Sequence, residues 1–577
     1  MTNRAPFVVA AVQFNPRLND REHNLAALYE IVERAANAGA KLIVTPEMAT
    51  TGYSYPNRAA IAPFVDTIPG VTTELFAELT RQYNVYVVVG MPEVELETNF
   101  YYNSAVLIGP KGVVGCYRKI HLWEVEAHWA LSGNLGVPVF DTDIGKIAIN
   151  ICMDANYFES ARLAALGGAN ILAFPTNSSL QTISILQARA EENGLFIVSA
   201  NRSNTEQGFH MVGASAIWSP FGEKLAEADF VPSPEQDIHE STVIYATIDP
   251  TLYDNPARRR FIQRRPALYK ELMLHIAPWN NSANQSSQHV KVAAIQYEPI
   301  LKEKAKNLVK IKGMISQCVA QGKSTGKEVD LVVLPELCFT GVDESWGKDE
   351  MASLADDLNS VYIRELVECA MIHQIYVVAG FIERDRDRLY NSAILISPHG
   401  TIVGVHRKTH LNQFDRTWAM AGDQVDVFSI NIGRIGILIG SEVLFPELSG
   451  LMAVKRADIL TIPSSWRGEF GNRISFHKGS GQGVFPEGVL TMWNRTALDT
   501  QAYTIVSNFV GTVLGFQGTS AVYMLDPLYS GEVPVIAPTN CEEVLIAEFD
   551  TLHRERWFNQ DKLISSRRTP SYIPITI

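Results

Sequence analysis

Three residues whose types suit covalent catalysis each accompany a short apolar run of the sequence. Glu47 ends the run KLIVTPE, Lys119 lies in RKIHL, and Cys152 follows the apolar residues of GKIAINIC. A thiolate can attack a carbonyl carbon, a carboxylate can take the thiol proton, and an ammonium can stabilise the oxyanion that forms. These three side chains therefore form a candidate set for acyl transfer through a thioester.

The surroundings of Cys152 favour a nucleophile over a buried structural cysteine. A polar turn with Asp154 and Asn156 follows it, and then a helical pattern begins. Because a helix N-terminus favours negative charge, this position predicts a lowered thiol pKa. A lone cysteine would more simply be a packing residue, but Glu47 and Lys119 also follow predicted strands, and a sheet collects such residues at one edge. We therefore expect the three to share one site.

At these motifs the sequence resembles the nitrilase, or carbon-nitrogen hydrolase, superfamily, whose catalytic Glu, Lys and Cys lie in motifs of this form and order. The resemblance covers the whole chain in two copies. It implies an α/β protein of two tandem four-layer αββα sandwich domains that form an intrachain pseudo-dimer, with Glu47, Lys119 and Cys152 as catalytic residues. The family has a further carboxylate after the Lys. Glu126 and Glu124 compete for that position, and we include Glu126 in the predicted catalytic set.

The sequence repeats itself along its length. AAVQFNP at residues 10–16 recurs as AAIQYEP at residues 293–299, and YNSAVLIGPKGVVGCYRKIHL recurs as YNSAILISPHGTIVGVHRKTHL from Tyr390. Both copies end on a basic motif, RRPALY at residues 264–269 and RRTPSY at residues 567–572. A repeat of this length indicates a tandem duplication of a whole domain.

The duplication gives the domain boundaries and a difference between the halves. We predict an active domain at residues 1–279, a polar linker at residues 280–289 and a degenerate domain at residues 290–577. The second half keeps Glu336 and Lys408 at the positions of the carboxylate and the ammonium. It has Gly440 where the first half has its cysteine, and Ser441 comes one position late, which turns a side chain to the other face of a strand. We therefore expect the second half to be inactive and to be kept for packing, as in a dimer.

Loops after the predicted strands supply the candidate walls of a small pocket, at positions where the family places substrate contacts. The backbone N–H of Met153 is a candidate oxyanion donor. Trp129 has a counterpart in Trp418, and Arg189 has one in Arg495, so these pairs also have a structural interpretation. The predicted substrate-binding residues are Tyr53, Trp123, Trp129, Met153, Asn156, Tyr157 and Asn177.

Composition limits the remaining possibilities. A chain of 577 residues exceeds one hydrophobic core, and its net charge of −13 without a long basic run argues against nucleic acid or an anionic membrane as partner. The N-terminal apolar run is typical of a core strand, and no stretch approaches the roughly 20 apolar residues that span a bilayer, so we predict a cytoplasmic protein. Six cysteines without a CxxC pair indicate neither a disulfide framework nor a zinc site, and we expect no cofactor and no metal. Further homo-oligomerisation stays open.

The predicted reaction is hydrolysis of a small-molecule amide to carboxylic acid and ammonia. CMDANYFE is similar to the Cys-x-Asp-x-Asn-Tyr-x-Glu pattern of aliphatic amidases, with Asp154 two residues after the cysteine, where typical nitrilases have Trp-Glu directly after it. Against this, Glu126 follows Lys119 by seven residues, a spacing nearer to that of nitrilases. The alternatives are a nitrilase or N-carbamoyl hydrolase, an ammonia-supplying glutaminase-type subunit, and a non-enzymatic binding protein.

Overall fold

The computed structural model describes residues 4–274, 286–324, 326–467, 490–511, 513–524, 533–552 and 556–577, without the side chains of residues 180–184. Most of the predicted linker therefore lies outside the described residues. Its last residue, His289, already belongs to a strand. No helix in the described part of the chain is long and apolar enough to cross a membrane.

The first half alternates strands and helices, as the sequence predicts. Its strands are Phe7–Gln13 (β1), Ala40–Val44 (β2), Tyr86–Glu95 (β3), Phe100–Gly109 (β4), Gly112–Arg118 (β5), Val139–Thr142 (β6), Gly145–Ile149 (β7), Ile171–Pro175 (β8), Phe196–Ala200 (β9), Thr205–Glu206 (β10), Phe209–His210 (β11), Ala216–Trp218 (β12), Lys224–Glu227 (β13) and Thr242–Ile248 (β14). Its α-helices are Arg21–Asn37 (α1), Arg58–Ile61 (α2), Val71–Tyr83 (α3), Phe158–Leu166 (α4), Leu180–Asn193 (α5) and Pro256–Arg260 (α6).

The strands of the first half form two six-stranded sheets that face each other. One has the order β14, β1, β2, β3, β4, β5, and the other has the order β13, β12, β9, β8, β7, β6. The inner faces share an apolar layer in which Val9, Leu42 and Leu107 of one sheet meet Ile147 and Val198 of the other. The central strands are buried on both faces, which explains their almost uniformly apolar sequences.

Helices cover the outer face of each sheet. In α1 and α3 the apolar residues recur at helical spacing, and Leu28, Val32, Phe76 and Leu79 are buried against the first sheet. The helices α4 and α5 cover the second sheet through a layer rich in alanine and leucine. The result is the four-layer αββα sandwich implied by the family resemblance.

The second half repeats this architecture. Its strands are His289–Gln296 (β15), Leu331–Val333 (β16), Tyr376–Asp385 (β17), Arg388–Ile396 (β18), Ile402–Arg407 (β19), Val427–Ile430 (β20), Gly433–Ile437 (β21), Ile459–Pro463 (β22), Tyr503–Ser507 (β23), Val510–Gly511 (β24), Phe516–Gln517 (β25), Ala521–Tyr523 (β26), Val535–Ile536 (β27) and Glu543–Asp550 (β28). Its α-helices are Lys304–Ser324 (α7), Lys348–Leu354 (α8), Val361–His373 (α9), Asp415–Trp418 (α10), Pro446–Val454 (α11), Thr491–Thr500 (α12) and Gln560–Ser565 (α13). The sheet orders, β28, β15, β16, β17, β18, β19 and β27, β26, β23, β22, β21, β20, match those of the first half.

The halves pack through the helices over their second sheets and exchange their basic C-terminal motifs. Helix α4 lies against α11, and α5 lies against α12. The Tyr269 hydroxyl, from the end of the first half, bonds His410 Nε2 at 2.6 Å, and the Tyr572 hydroxyl bonds His121 Nε2 at 2.6 Å in the reciprocal contact. The sequence shows the two basic motifs only as a repeat. In the structure, each motif binds the opposite half of the chain.

Four buried charges form a network in the centre of this interface. Arg189 bonds Asp499 across the interface at 2.7 Å, and Arg495 bonds Glu192 at 2.9 Å. Each arginine also pairs with a carboxylate on its own helix. Arg189 and Arg495, matched residues in the sequence repeat, thus occupy matching places in the interface, in keeping with their structural interpretation.

We predict that Arg189→Ala strongly destabilises the protein. The change leaves two carboxylates with one arginine in a buried site, and breaking such a pair costs about 3–5 kcal/mol. Urea unfolding followed by tryptophan fluorescence should show a lower midpoint. Arg259→Ala is the matched control, because Arg259 and its partner Asp254 are largely exposed and the midpoint should barely move. Equal midpoints for Arg189→Ala and the wild type would contradict this role of the interface.

Candidate active site

The two facing sheets together position the three candidate catalytic residues. Glu47 follows β2 and Lys119 directly follows β5, so both belong to the first sheet. Cys152 follows β7 of the second sheet. The prediction that one sheet edge collects all three was wrong in this respect, because the site lies where the ends of two sheets meet.

The backbone around Glu47 depends on close approach to β3. A Cβ atom on Gly90 would lie 2.2 Å from the carbonyl oxygen of Pro46, so no larger residue fits there without a shift. The N–H of Ala49 donates to the Gly90 carbonyl at 2.9 Å and fixes the turn after Glu47. Gly380 has the same close contact with the backbone of Glu336 in the second half.

Lys119 lies between two carboxylates in a fully buried array. Its Nζ is 2.7 Å from Glu47 Oε1 and 2.7 Å from Glu126 Oε1, and none of the three side chains is exposed. Asn103 Nδ2 donates to the same two oxygens, each at 2.7 Å. Asn103 was not among the predicted site residues, although the repeated YNSA motif, with Asn391 in the second copy, marks its position.

The structure distinguishes the two candidate carboxylates after Lys119. Glu126 is buried in the array, and its Oε2 accepts the N–H of Trp123 at 2.7 Å. Glu124 is 61% exposed and pairs with Lys562 of the second half. Of the two candidates, only Glu126 therefore lies beside Lys119, and its catalytic role stays a prediction.

Cys152 begins a short turn of 3₁₀-helix, Cys152–Asn156, ahead of α4. Its φ of 44° is unusual for a residue with a side chain and is typical of strained functional positions. The Sγ atom lies 3.6 Å from Ser178 Oγ and 3.8 Å from the carbonyl oxygen of Asn177. Asn177 Nδ2 donates to the Glu47 carbonyl at 3.0 Å, which links the loop beside Sγ to the general-base candidate.

Asp154 holds this turn through hydrogen bonds to neighbouring residues, and none of these bonds is to the sulfur. Its oxygens accept bonds from the Ile151 N–H at 2.9 Å and the Tyr117 hydroxyl at 2.7 Å, and they also bond the backbone and ring of His121. Because these contacts engage both carboxylate oxygens, Asp154 is a positioning residue. The Asp in the amidase-like motif therefore offers no second acid or base at the sulfur.

The electrostatics of the site differ from the prediction of a low-pKa thiol. Burial and the Glu47 carboxylate raise the pKa of the Cys152 thiol to about 12, against the lowering effect of Lys119. Burial likewise raises the pKa of Glu47 to about 7, with Lys119 opposing and Glu126 adding to the rise. For Lys119 the two carboxylates outweigh the effect of burial and raise its pKa. The prediction was wrong because burial of the sulfur and the Glu47 carboxylate together outweigh the ammonium of Lys119, so the thiol keeps its proton until a base removes it.

A cavity of about 210 Å³ opens beside Cys152. Among the predicted wall residues it includes Trp123, Met153, Asn156 and Asn177. The remaining lining residues are Ser178, Ser179, Phe209, His210, Met211 and Trp557. The segment after β9, which includes the two-residue strands β10 and β11, carries no periodic signal for Phe209 or Met211. Nothing in the sequence relates Trp557, in the second half, to this site.

The other predicted wall residues lie behind or beside the cavity. Tyr53 and Trp129 are buried together in an apolar cluster next to the charged array and are not lining residues. The pKa of Tyr53 is raised well above its usual range by burial and by the Glu126 and Glu47 carboxylates. Tyr157 stacks on His121 at 3.8 Å and packs against Phe558 at the interface. These three residues therefore pack around the site, and they do not line the cavity in which substrate contacts were predicted.

The second half retains the charged array. Lys408 Nζ lies 2.8 Å from Glu336 Oε1 and 2.7 Å from Asp415 Oδ2. Asn391 Nδ2 donates to both carboxylates at 2.7 and 3.0 Å. The array therefore folds in the same way in both halves, and Asp415 takes the place of the auxiliary Glu.

Gly440 occupies the backbone position that Cys152 has in the first half. Its φ of 45° matches the 44° of Cys152, and a Cβ atom there would lie only 2.6 Å from Glu336 Oε2. Ser465 Oγ donates to the same Oε2 at 2.7 Å. In this half the carboxylate reaches into the space that a nucleophilic side chain would need.

Comparison with known proteins agrees with this arrangement. The carbon-nitrogen hydrolase family model matches the chain twice, at residues 8–255 and 291–557. A nitrilase of Pyrococcus abyssi is 37% identical over 222 residues, which are 38% of this chain and 84% of that protein. A probable nitrilase of Schizosaccharomyces pombe is 34% identical over 281 residues, 46% of this chain and 98% of that protein. The omega-amidase NIT2-B of Xenopus laevis is 30% identical over 263 residues, 42% of this chain and 89% of that protein.

Each relative thus corresponds to about one half of the chain, and the family model accounts for both halves in turn. The order of strands is the same in each half, and each keeps the buried array of ammonium and carboxylates. The chain belongs to the carbon-nitrogen hydrolase family, as a tandem pair of its domains, and is a carbon-nitrogen hydrolase.

Proposed function

We propose that the first half hydrolyses a primary amide to a carboxylic acid and ammonia through a thioester on Cys152. The observation that carries this proposal is the buried array of Lys119 between Glu47 and Glu126, which lies beside a thiol that keeps its proton. A protonated thiol needs a general base, and Glu47, with a pKa of about 7, is matched to that task near neutral pH.

In the first step Glu47 takes the proton from Sγ, and the sulfur attacks the amide carbon. The new S–C bond places negative charge on the amide oxygen, which Lys119 and the backbone N–H of Met153 stabilise. The C–N bond then breaks, the leaving nitrogen takes the proton held by Glu47, and ammonia departs. The product of this step is a thioester on Cys152.

In the second step water cleaves the thioester. Glu47 takes a proton from the water as its oxygen attacks the carbonyl carbon, and the same donors stabilise the second oxyanion. The S–C bond breaks, the acid leaves, and the proton on Glu47 returns to the sulfur. Glu126 holds the ammonium of Lys119 in place throughout, since its Oε1 accepts from Lys119 and its Oε2 is fixed by the N–H of Trp123.

The unpaired acceptors of the site favour an amide over a nitrile. Glu47 Oε2, Asn156 Oδ1 and Asn177 Oδ1 are buried, and none accepts a hydrogen bond from the described residues. Buried acceptors without donors are costly, so a substrate that brings N–H groups is favoured. A primary amide has two N–H groups, whereas a nitrile has none. The relatives' names include nitrilase and omega-amidase, so the choice rests on this chemistry.

We predict that Cys152→Ala, Glu47→Gln and Lys119→Ala each lose amide hydrolysis by several orders of magnitude, because each removes a group that acts on the reacting atoms. Loss of one oxyanion donor alone typically costs about 10²- to 10³-fold. Ammonia release should be measured over a panel of matched amides and nitriles. Glu336→Gln and Lys408→Ala in the second half are the matched controls and should retain wild-type turnover.

Full activity in Cys152→Ala would contradict the proposed mechanism. A panel in which nitriles exceed their matched amides in kcat/KM would replace the proposed amidase with a nitrilase that uses the same residues.

The pH dependence should report the ionisation of Glu47. Only its ionised form accepts a proton, so kcat/KM should fall as the pH drops below about 7. The charge of Glu126 raises the pKa of Glu47, so Glu126→Gln should move this acid limb to lower pH as well as reduce the maximal rate. Glu124→Gln removes an exposed carboxylate and should leave the limb in place. An acid limb that does not move in Glu126→Gln would argue against coupling between these carboxylates.

We also propose that the second half does not catalyse hydrolysis. Gly440→Cys, made in a Cys152→Ala background, should not restore turnover, because its Cβ would collide with Glu336 Oε2, which Ser465 holds in place. Ammonia release from the amide that the wild type hydrolyses best provides the measurement, with circular dichroism to verify folding. Turnover in this double variant would show that the second site lacks only its nucleophile.

A further inference from the structure

The cavity over Cys152 takes one of its walls from the other half of the chain. The ring of Trp557 meets that of Trp123 nearly perpendicularly, with centroids 6.0 Å apart and planes at 86°. Trp123 meets Phe209 in the same way at 4.8 Å and 88°. These three rings, which we call the aromatic wall, all line the cavity.

The lining divides into a polar part at the sulfur and an apolar part. Asn156, Asn177 and Ser178 surround Cys152, whereas the aromatic wall and two methionines supply the apolar surface. None of the cavity's described lining residues is Lys, Arg, Asp or Glu, so they offer no ionic partner to a charged acyl group. Both ring nitrogens of His210 are already engaged within the protein. Nε2 lies 2.8 Å from the Val231 carbonyl oxygen, and Nδ1 lies 3.0 Å from Thr205 Oγ1 and 3.3 Å from Asp237 Oδ1.

The volume of the cavity exceeds the needs of the smallest amides. A cavity of about 210 Å³ is far larger than the roughly 10–15 Å³ that a single water needs. Acetamide has only four heavy atoms and would leave the aromatic wall uncovered. An apolar acyl group that contacts the aromatic wall would remove the apolar surface of the wall from water. This burial would strengthen binding of the substrate.

Several contacts hold Trp557 at the site. The next residue, Phe558, is buried in a cluster with Met153, Tyr157 and Leu563 at the interface. Lys562 places its Nζ 4.1 Å from the centre of the Trp557 ring and pairs with Glu124 of the first half at 2.5 Å. Because this ion pair is partly exposed, the buried packing of Phe558 is the stronger restraint.

The contribution of Trp557 is not reciprocal between the halves. Asn559, two residues after Trp557, caps α13, and Asn255 caps α6 in the same way. Two residues before Asn255 stands Tyr253, which donates to the Ile144 carbonyl at 2.8 Å and packs on Phe196 of its own half. At this position of the repeat, Trp557 lines the cavity of the first half, whereas Tyr253 packs within its own half.

We infer that Trp557 is a specificity-determining residue, by which the second half selects amides with an uncharged aromatic or branched apolar acyl group for the site in the first half. This inference rests on the proposed amide hydrolysis and adds the class of acyl group to it. It also gives the second half a role in substrate choice that needs no nucleophile of its own.

The test compares kcat/KM of the full-length protein for phenylacetamide, acetamide and succinamate. The wild type should prefer phenylacetamide, and Trp557→Ala should lower kcat/KM for phenylacetamide about tenfold or more while acetamide changes less than about twofold. Trp557→Phe should retain most of the preference. Phe100→Ala, which removes an aromatic side chain that is 45% exposed, is the control and should alter neither value.

Equal losses with both neutral amides would assign Trp557 a purely structural role and overturn the inference. An unchanged ratio of phenylacetamide to acetamide in Trp557→Ala, or a wild type that prefers succinamate, would overturn it as well.

A second measurement does not depend on turnover. Intact-mass spectrometry gives the rates at which iodoacetamide and N-benzyl iodoacetamide alkylate Cys152, with Cys152→Ala to identify the labelled residue. Trp557→Ala should slow the benzyl reagent relative to the small one. If no amide is hydrolysed, the proposed function fails, and this ratio alone still decides the role of Trp557: a fall supports it, and an unchanged ratio overturns it.

Discussion

The placement of Lys119 between Glu47 and Glu126 is the interaction on which the rest of the first half depends. Three charges out of contact with water are stable only when they are paired and their remaining lone pairs are bonded. Asn103 and the N–H of Trp123 bond Glu126 and Oε1 of Glu47, whereas Oε2 of Glu47 has no donor among the described residues. The array in turn affects the ionisation of the sulfur, because burial and the Glu47 carboxylate outweigh the ammonium of Lys119 and keep the thiol protonated. The proposed mechanism takes Glu47 as the base that removes this proton.

The second half shows that this array is also a structural unit. Lys408, Glu336 and Asp415 repeat the geometry around a backbone whose φ at Gly440 equals that of Cys152 within a degree. Removing one member of a buried ion network leaves an unpaired charge, whereas replacing a cysteine by glycine removes no charge. Of the site's members, the cysteine is therefore the one whose absence costs folding least.

The joined halves form one asymmetric molecule from two similar domains. The exchanged tyrosines, Tyr269 and Tyr572, and the network around Arg189 follow the approximate twofold relation between the halves. Trp557 does not follow this relation, because it lines the cavity of the first half while its counterpart Tyr253 packs within its own half. In a dimer of identical chains, each site would be lined by the same residue of its partner. In a fused pair, the sequences of the two halves can change independently of each other. A half without a nucleophile can then shape the site of the half that has one.

The sequence by itself determined the family, the tandem duplication, the short buried strands and the residues of the candidate catalytic set, including Glu126. These features follow from local composition and from spacing along the chain, which the motifs and their repeat record directly. The predicted one-sheet arrangement and the lowered pKa of Cys152 were wrong, since both depend on how two sheets face each other and on which charges become enclosed. The catalytic roles themselves stay predictions.

Only the tertiary structure decided which residues surround the sulfur. Tyr157 was expected at the substrate because it follows the cysteine closely in sequence, yet it packs at the interface between the halves. Trp557 lies about four hundred residues beyond Cys152 and lines the same cavity. No local pattern can report such a contact, because it arises from the docking of two complete domains, and burial, distance and charge around an atom exist only once that docking has occurred.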